Sequence, residues 1–80
     1  MPYMFEVYYK SPADPKKEAA LTESVTRLGG RLGYREDPNE YGTGSICLTY
    51  EFDGLDQAEA ASKALRQQGM HVEGPVDYGP

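Results

Sequence analysis

The side chains best suited to chemistry in this chain are two carboxylates and its only histidine. His71 and Glu73 are two residues apart, so on a strand they share one side. Glu6 falls on what we expect to be the neighbouring strand, about 5 Å away. Such a group could act as acid and base or hold a divalent cation loosely. Because the sequence has no HxH, HExxH or CxxC motif, we predict neither a metal site nor a cofactor.

Cys47 is the only cysteine and a candidate nucleophile. A reactive thiol needs a base within reach, and the predicted strand order leaves His71 two strands away, roughly 10 Å. No helix N-terminus points at Cys47 to stabilise a thiolate. We therefore interpret Cys47 as a small packing residue on a central strand. A single cysteine also excludes an internal disulfide, which favours a reducing, cytoplasmic location.

The composition limits both the size and the partners of the protein. Its 80 residues allow one domain, 1–80. Eight Lys and Arg against 13 Asp and Glu give a net charge of −5, which argues against nucleic acid as a partner. No apolar run approaches the ~20 residues of a membrane span, and the first residues do not resemble a signal peptide. We expect no membrane association.

Hydrophobic periodicity and turn residues predict six elements in the order β-α-β-β-α-β. Asp14 followed by Pro15 is typical of a helix N-terminus, and Gly29-Gly30 is typical of a helix end. Asp56 with Glu59 three residues later resembles a capping box at the start of the second helix. The predicted strands are 3–9, 31–36, 45–52 and 71–73, and the predicted helices are 15–28 and 56–68.

Two helices with apolar stripes and four strands with one apolar side can bury these surfaces against each other. The arrangement that does so is an antiparallel four-stranded sheet with both helices on one face, the α+β ferredoxin-like sandwich. Right-handed crossovers then give the strand order 4-1-3-2. The predicted core consists of Phe5, Val7, Leu21, Val25, Leu28, Leu32, Leu48, Tyr50, Phe52, Ala61, Leu65 and Val72.

The second and third strands are expected to form an antiparallel hairpin whose register is set by apolar residues. The predicted pairs are Glu36–Ile46, Tyr34–Leu48, Leu32–Tyr50 and Arg31–Glu51. A shift by one residue would turn Leu32 and Tyr34 to the wrong face, so odd shifts are excluded. A shift by two residues keeps the faces and stays open.

The sheet face that the helices leave uncovered is the candidate binding surface. It combines charged side chains with a small apolar strip of Met4, Tyr8 and Cys47. This face is either solvated or a homodimer interface, and the apolar strip favours the interface. The candidate binding residues on it are Glu6, Tyr8, Arg31, Arg35, Glu51, His71 and Glu73.

The segment between the second and third strands is predicted to be a mobile loop. Residues 39–44 offer no apolar anchor except Tyr41, so we expect few buried contacts there. Tyr41 has no core to pack against and is interpreted as a contact residue or as merely exposed.

One stretch of the chain resembles the second half of an RNA-recognition motif. The resemblance rests on residues 46–52, ICLTYEF, and on the alanine-rich helix that follows. Strands of that motif carry aromatic residues on the open face, whereas Cys47, Thr49 and Glu51 occupy it here. Bases would have no stacking platform, which agrees with the acidic charge in excluding RNA.

A second stretch is similar to the first βαβ unit of a glyoxalase/bleomycin-resistance module. The similarity covers residues 48–56 and 69–76. The metal-binding His or Gln of that family would fall near Ser45 or Ile46, and neither side chain can replace it. The resemblance therefore implies neither a metal nor an activity.

Three functions are compatible with these features. The first is a non-catalytic binding or assembly module, which the absence of a catalytic constellation and the partly apolar open face favour. The second is a small enzyme of the dimeric α+β barrel type, with His71 or Glu6 as acid or base in a cavity between sheet and helices. The third is an acidic inhibitor that covers a basic partner surface.

Overall fold

The computed structural model describes residues 3–38 and 44–77, which form one antiparallel sheet with two helices. The elements are β1 (Tyr3–Lys10), α1 (Pro15–Arg27), β2 (Arg31–Glu36), β3 (Ser45–Phe52), α2 (Leu55–Gln67) and β4 (His71–Asp77). The strand order is β2-β3-β1-β4, the predicted 4-1-3-2 order read from the other edge. The α+β ferredoxin-like fold is thereby confirmed.

The two helices begin with different kinds of N-cap. The Asp14 carboxylate accepts a hydrogen bond from the Lys17 backbone N–H at 3.1 Å, so the predicted N-cap is confirmed. The predicted capping box at Asp56 is wrong, because Gly54 is the N-cap of α2. Asp56 therefore lies inside the first turn, where its negative charge favours the helix N-terminus.

The core lies between the helices and one face of the sheet, and it is largely the predicted one. Its centre is aromatic: the Phe5 and Phe52 rings stack with centroids 5.4 Å apart, and the buried Tyr50 hydroxyl bonds Thr22 Oγ1 at 2.8 Å. The structure adds Tyr9, Ile46, Ala58 and Ser62 to the buried set.

The prediction that Leu28 and Leu32 belong to the core is wrong. Their exposed fractions are 38% and 41%. Leu28 is the C-cap that follows the last helical residue of α1, and Leu32 lies on β2, which is an edge strand. Each position therefore has neighbours on only one side, and its burial stays incomplete.

The β2–β3 pairing begins in the predicted register and then shifts by one residue. Arg31 lies opposite Glu51 and Leu32 opposite Tyr50, as predicted. A β-bulge at Gly33 inserts one extra residue in β2, so the next pairs are Tyr34–Thr49, Arg35–Leu48 and Glu36–Cys47. The predicted pairs Tyr34–Leu48 and Glu36–Ile46 are therefore wrong.

The bulge exchanges the two faces of the strand beyond it. Tyr34, expected in the core, turns to the side of Thr49 and is 60% exposed. Arg35, expected on the open face, turns to the side of Leu48 and the helices. At Gly33 the Glu51 carboxylate lies in the space that a Cβ would take, so a larger residue there would require the flexible Glu51 side chain to move.

β4 continues to Asp77 and also contains a register shift. Gly74 has φ +106, and the pairing with β1 shifts between Met4 and Glu6. Val76 consequently lies opposite Met4. No helix in the described part of the chain is long and apolar enough to cross a membrane.

Candidate functional site

The open face, defined as the sheet surface opposite the helices, carries three rows of side chains that run across all four strands. Pairing in the sheet places the members of each row side by side. In the order β2, β3, β1, β4, the rows are Glu36, Cys47, Tyr8 and His71; Tyr34, Thr49, Glu6 and Glu73; and Arg31, Glu51, Met4 and Val76.

Cys47, Glu6 and Tyr8 form the centre of the open face. The Cys47 thiol, only 6% exposed, donates to Glu6 Oε2 at 3.6 Å. Burial raises the pKa of this thiol, so at neutral pH it is a protonated donor rather than a nucleophile. Burial and the nearby Cys47 and Glu6 also raise the pKa of the Tyr8 hydroxyl. This centre therefore presents neutral hydroxyl and thiol groups beside one carboxylate.

His71 and Glu73 lie at the outer edge of the open face, in contact with solvent. His71 Nε2 is 3.6 Å from Glu73 Oε2, and the two side chains are 67% and 60% exposed. The imidazole ring lies 5.8 Å from the Tyr8 ring, centroid to centroid. Glu6 is directly opposite Glu73 in the sheet. Across residues 3–38 and 44–77, no three His, Cys, Asp or Glu side chains are grouped to hold a metal ion.

Arg31 is the one arginine of the open face. Its guanidinium is 3.4 Å from Glu51 Oε1 and 3.5 Å from Asp53 Oδ1. The predicted pairing of Arg31 with Glu51 across β2 and β3 is therefore confirmed. The arginine side chain is half exposed, so the pair contributes little to the free energy of unfolding.

Arg35 is the one predicted open-face residue that lies elsewhere. Its Nε donates to Glu18 Oε1 at 2.6 Å and its Nη2 to Glu18 Oε2 at 3.0 Å, while Nη1 donates to Asp37. The Tyr9 hydroxyl also donates to Glu18. These groups tie β2 to α1 and β1, so the role of Arg35 is structural.

The pKa values within this cluster shift in the directions that hydrogen bonding and burial require. The Arg35 guanidinium lowers the pKa of the Glu18 carboxyl, with a further contribution from the Tyr9 hydroxyl. Burial raises the pKa of Tyr9, which donates to the same carboxylate. Sequence reasoning missed the cluster because a regular strand would have placed Arg35 on the other face.

The open face is acidic. Glu6, Glu36, Glu51 and Glu73 are four carboxylates against the Arg31 guanidinium and the Lys10 ammonium, which leaves −2 with His71 neutral. Arg31 pairs with Glu51, and His71 lies beside Glu73. Within the described residues, Glu6 and Glu36 have no ion-pair partner.

Apolar side chains share this face with the carboxylates. Tyr34 is 60% exposed and Val76 50% exposed, and they stand at opposite edges of the sheet. Met4 and Tyr8 on β1 are half-buried. Sequence reasoning missed Tyr34 and Val76, because their orientation depends on the irregularities in β2 and β4.

A shallow cavity of about 310 Å³ lies where β1 ends and β4 begins, next to the open-face row that contains Tyr8 and His71. Tyr8 and His71 line it together with Lys10 and Lys17. The Lys17 ammonium lies 5.3 Å from the centre of the Tyr9 ring. Lys10 on β1 lies opposite Ser45 and shares the open face with Glu6 and Tyr8, whereas Lys17 on α1 lies outside it.

The predicted contact residue Tyr41 lies outside the described residues, as does the predicted mobile loop apart from Gly44. The other predicted site residues are described, and the structure brings Glu6, Tyr8, Arg31, Glu51, His71 and Glu73 to one surface.

Comparison with known proteins finds no matching protein-family model and no matching curated protein.

Proposed function

We propose that this protein is a non-catalytic binding module whose open face binds a partner protein that presents basic and apolar side chains. The observation that carries the proposal is the composition of that face. Its carboxylates outnumber its guanidinium and ammonium groups by four to two, and apolar side chains stand among them. Such a surface is complementary to lysine or arginine residues interspersed with apolar ones.

The charge supports a basic partner because part of it has no internal counterpart. Glu6 and Glu36 lack ion-pair partners within the described residues, and Glu6 lies directly opposite Glu73. Like charges opposite each other lower the stability of a sheet. A bound lysine or arginine between Glu6 and Glu73 would remove that repulsion.

The apolar side chains support a protein partner rather than a small cation. Tyr34 and Val76 each keep half or more of their surface in water. Burying such surface contributes about 25 cal/mol per Å², and tyrosine is among the residues enriched in interfaces. A cation alone would leave this surface exposed.

A second copy of the chain fits the open face less well than a basic partner does. Homodimerisation through this face is the expectation drawn from the sequence. Two such faces in contact would bring eight carboxylates together with two guanidinium and two ammonium groups, and the excess of like charges across the interface opposes association. The oligomeric state is therefore measured as an outcome of the test below.

The alternative of a small enzyme stays a hypothesis that no observation favours. It places His71 or Glu6 in a cavity between the sheet and the helices, whereas both residues lie on the open face. The protonated Cys47 thiol offers no nucleophile there. The open face is therefore better suited to binding than to proton transfer.

The proposal is tested by titrating the protein with a short peptide of alternating lysine and leucine and following backbone amide shifts by NMR. We expect shifts at Glu6, Tyr8, Thr49 and Glu73, reduced by added salt. Peptides of lysine with glycine and of glutamate with leucine separate the charged from the apolar contribution. Shifts confined to the helices, or none at millimolar peptide, would contradict the proposal.

Matched variants locate the binding. Glu6→Gln with Glu73→Gln removes two carboxylates from the open face and should weaken binding roughly tenfold. Glu23→Gln with Glu59→Gln removes the same charge from the helices and should leave the affinity unchanged. Equal effects of the two pairs would show that only net charge matters. Amide shifts at Glu6, Tyr8 and Glu73 that change with protein concentration alone would show that the open face instead binds a second copy.

A further inference from the structure

The two edges of the sheet differ in how their outward backbone groups are covered. On β4, Arg66 of α2 donates to the carbonyls of Val72 at 3.1 Å and Gly74 at 2.8 Å, and Pro75 has no N–H. On β2, the backbone groups that face away from β3 have no hydrogen-bond partner within residues 3–38 and 44–77. An uncovered edge of this kind is a template for pairing with another strand.

Because of the bulge, the order of open-face and helix-side residues along β2 is the same when the strand is followed from either end. Because Gly33 is the extra residue, Arg31, Tyr34 and Glu36 share the open face, while Leu32 and Arg35 share the helix side. In a continuous sheet, side chains that lie opposite each other on neighbouring strands must point to the same face. This requirement restricts how β2 can pair with a second β2.

Only one two-fold antiparallel register satisfies that requirement along the whole strand. It places Arg31 opposite Glu36 of the second copy, Leu32 opposite Arg35 and Gly33 opposite Tyr34. A shift by one residue in either direction sets open-face residues against helix-side residues. A strand without the bulge could not form this register, because the two halves would then have opposite parity.

We propose that β2 pairs antiparallel with β2 of a second copy in this register, joining two four-stranded sheets into one of eight strands. The charges are complementary, since each end of the pairing brings an Arg31 beside a Glu36 that has no ion-pair partner in its own described chain. The exposed Tyr34 ring stands opposite Gly33, a pairing in which an aromatic side chain covers a glycine.

This dimer can be tested separately from the proposed function. It engages Tyr34 and Glu36 at the β2 edge but leaves Glu6, Tyr8 and Glu73 of both open faces uncovered. The two faces would lie side by side on the same surface of the longer sheet. The helices of both copies would lie on the opposite surface. Binding of a basic peptide and pairing of β2 can therefore succeed or fail separately.

Light scattering of the unmodified protein is the first test, and we expect twice the monomer mass of 8.9 kDa. Disulfide trapping then tests the register, in a Cys47→Ala background. Arg31→Cys and Glu36→Cys proteins are mixed and oxidised, which should give cross-linked dimers. Neither variant alone should cross-link, because equivalent positions on the two copies are roughly 16 Å apart.

A mismatched mixture provides the control. Leu32→Cys mixed with Glu36→Cys should not cross-link, since these side chains point to opposite faces. A protein that stays monomeric at all concentrations would overturn the proposal. So would a dimer in which the matched mixture fails to cross-link, or in which matched and mismatched mixtures cross-link equally.

Discussion

The two faces of the central strand β3 differ sharply in what they contribute. Toward the helices, four side chains are fully buried: Ile46, Leu48, Tyr50 and Phe52. Toward the open face, Thr49 and Glu51 are only half-buried, and the neighbouring strands add two glutamates directly opposite each other. Stability is thus concentrated on the helix side, while the open face keeps an arrangement that lowers it, which agrees with the binding role proposed for this face.

The test with the largest expected effect on this contrast between the two faces is to truncate one side chain on each face of β3. Phe52→Ala removes a fully buried ring that stacks on Phe5, and we expect a loss of about 3–5 kcal/mol in the free energy of unfolding. Thr49→Ala, three residues earlier on the open face, should cost less than about 1 kcal/mol. Urea titration measures both, and equal losses would abolish the contrast between the faces.

The next test concerns Arg35, which the bulge transfers to the helix side. Glu18→Gln removes the carboxylate that binds the Arg35 guanidinium and the Tyr9 hydroxyl, and we expect a loss of about 1–2 kcal/mol at neutral pH. Glu23→Gln on the same helix breaks only an exposed pair with Arg27 and should cost about 0–0.5 kcal/mol. Urea titration at pH 7 compares the two variants.

The pH dependence of this difference has a defined sign. Because folding lowers the pKa of Glu18, its contribution is fully present above the unfolded-state pKa of about 4.3 and is lost as pH falls through the folded-state pKa. The stability gap between the unmodified protein and Glu18→Gln should therefore narrow in acid. If the difference in free energy of unfolding stayed constant from neutral pH to strongly acidic conditions, Glu18 would not contribute to the pH dependence of stability.

The smallest expected effect has the opposite sign and lies on the open face. Glu6→Gln keeps an acceptor for the Cys47 thiol and removes the repulsion with Glu73, so we expect the protein to become more stable by about 0.2–0.5 kcal/mol. Glu59→Gln on α2 serves as the control and should change little. Thermal unfolding of both variants measures the difference, and a destabilised Glu6→Gln would mean that this face is built for stability.

Much of the fold follows from the sequence because the signals are local and repeated. Phe5 and Val7 on β1, Leu21 and Val25 on α1 and the alternation along β3 each predict one buried side. These apolar sides can be covered together in few topologies, so the strand order was predictable. The side chains of the open face were predictable wherever the strands are regular, as with Glu6, Tyr8 and Glu51.

The candidate site was less predictable at the edges of the sheet. The sequence marks Gly33 as a possible irregularity only weakly, since a glycine also fits a regular strand. The bulge is a property of the pairing with β3, where Leu32 lies opposite Tyr50 and Tyr34 lies opposite Thr49. Parity reasoning therefore assigned Tyr34 and Arg35 to the wrong faces.

By itself, the sequence determined the order of the helices and strands and most of their bounds, which sides of the central strands are buried, and that the chain is acidic, but not the second half of β4. Only the tertiary structure decided the faces of β2 beyond Gly33, the pairing of Arg35 with Glu18, and the exposure of Tyr34 and Val76. The reason is physical: periodicity is a property of one segment, whereas a bulge arises where two strands meet and shifts every side chain beyond it.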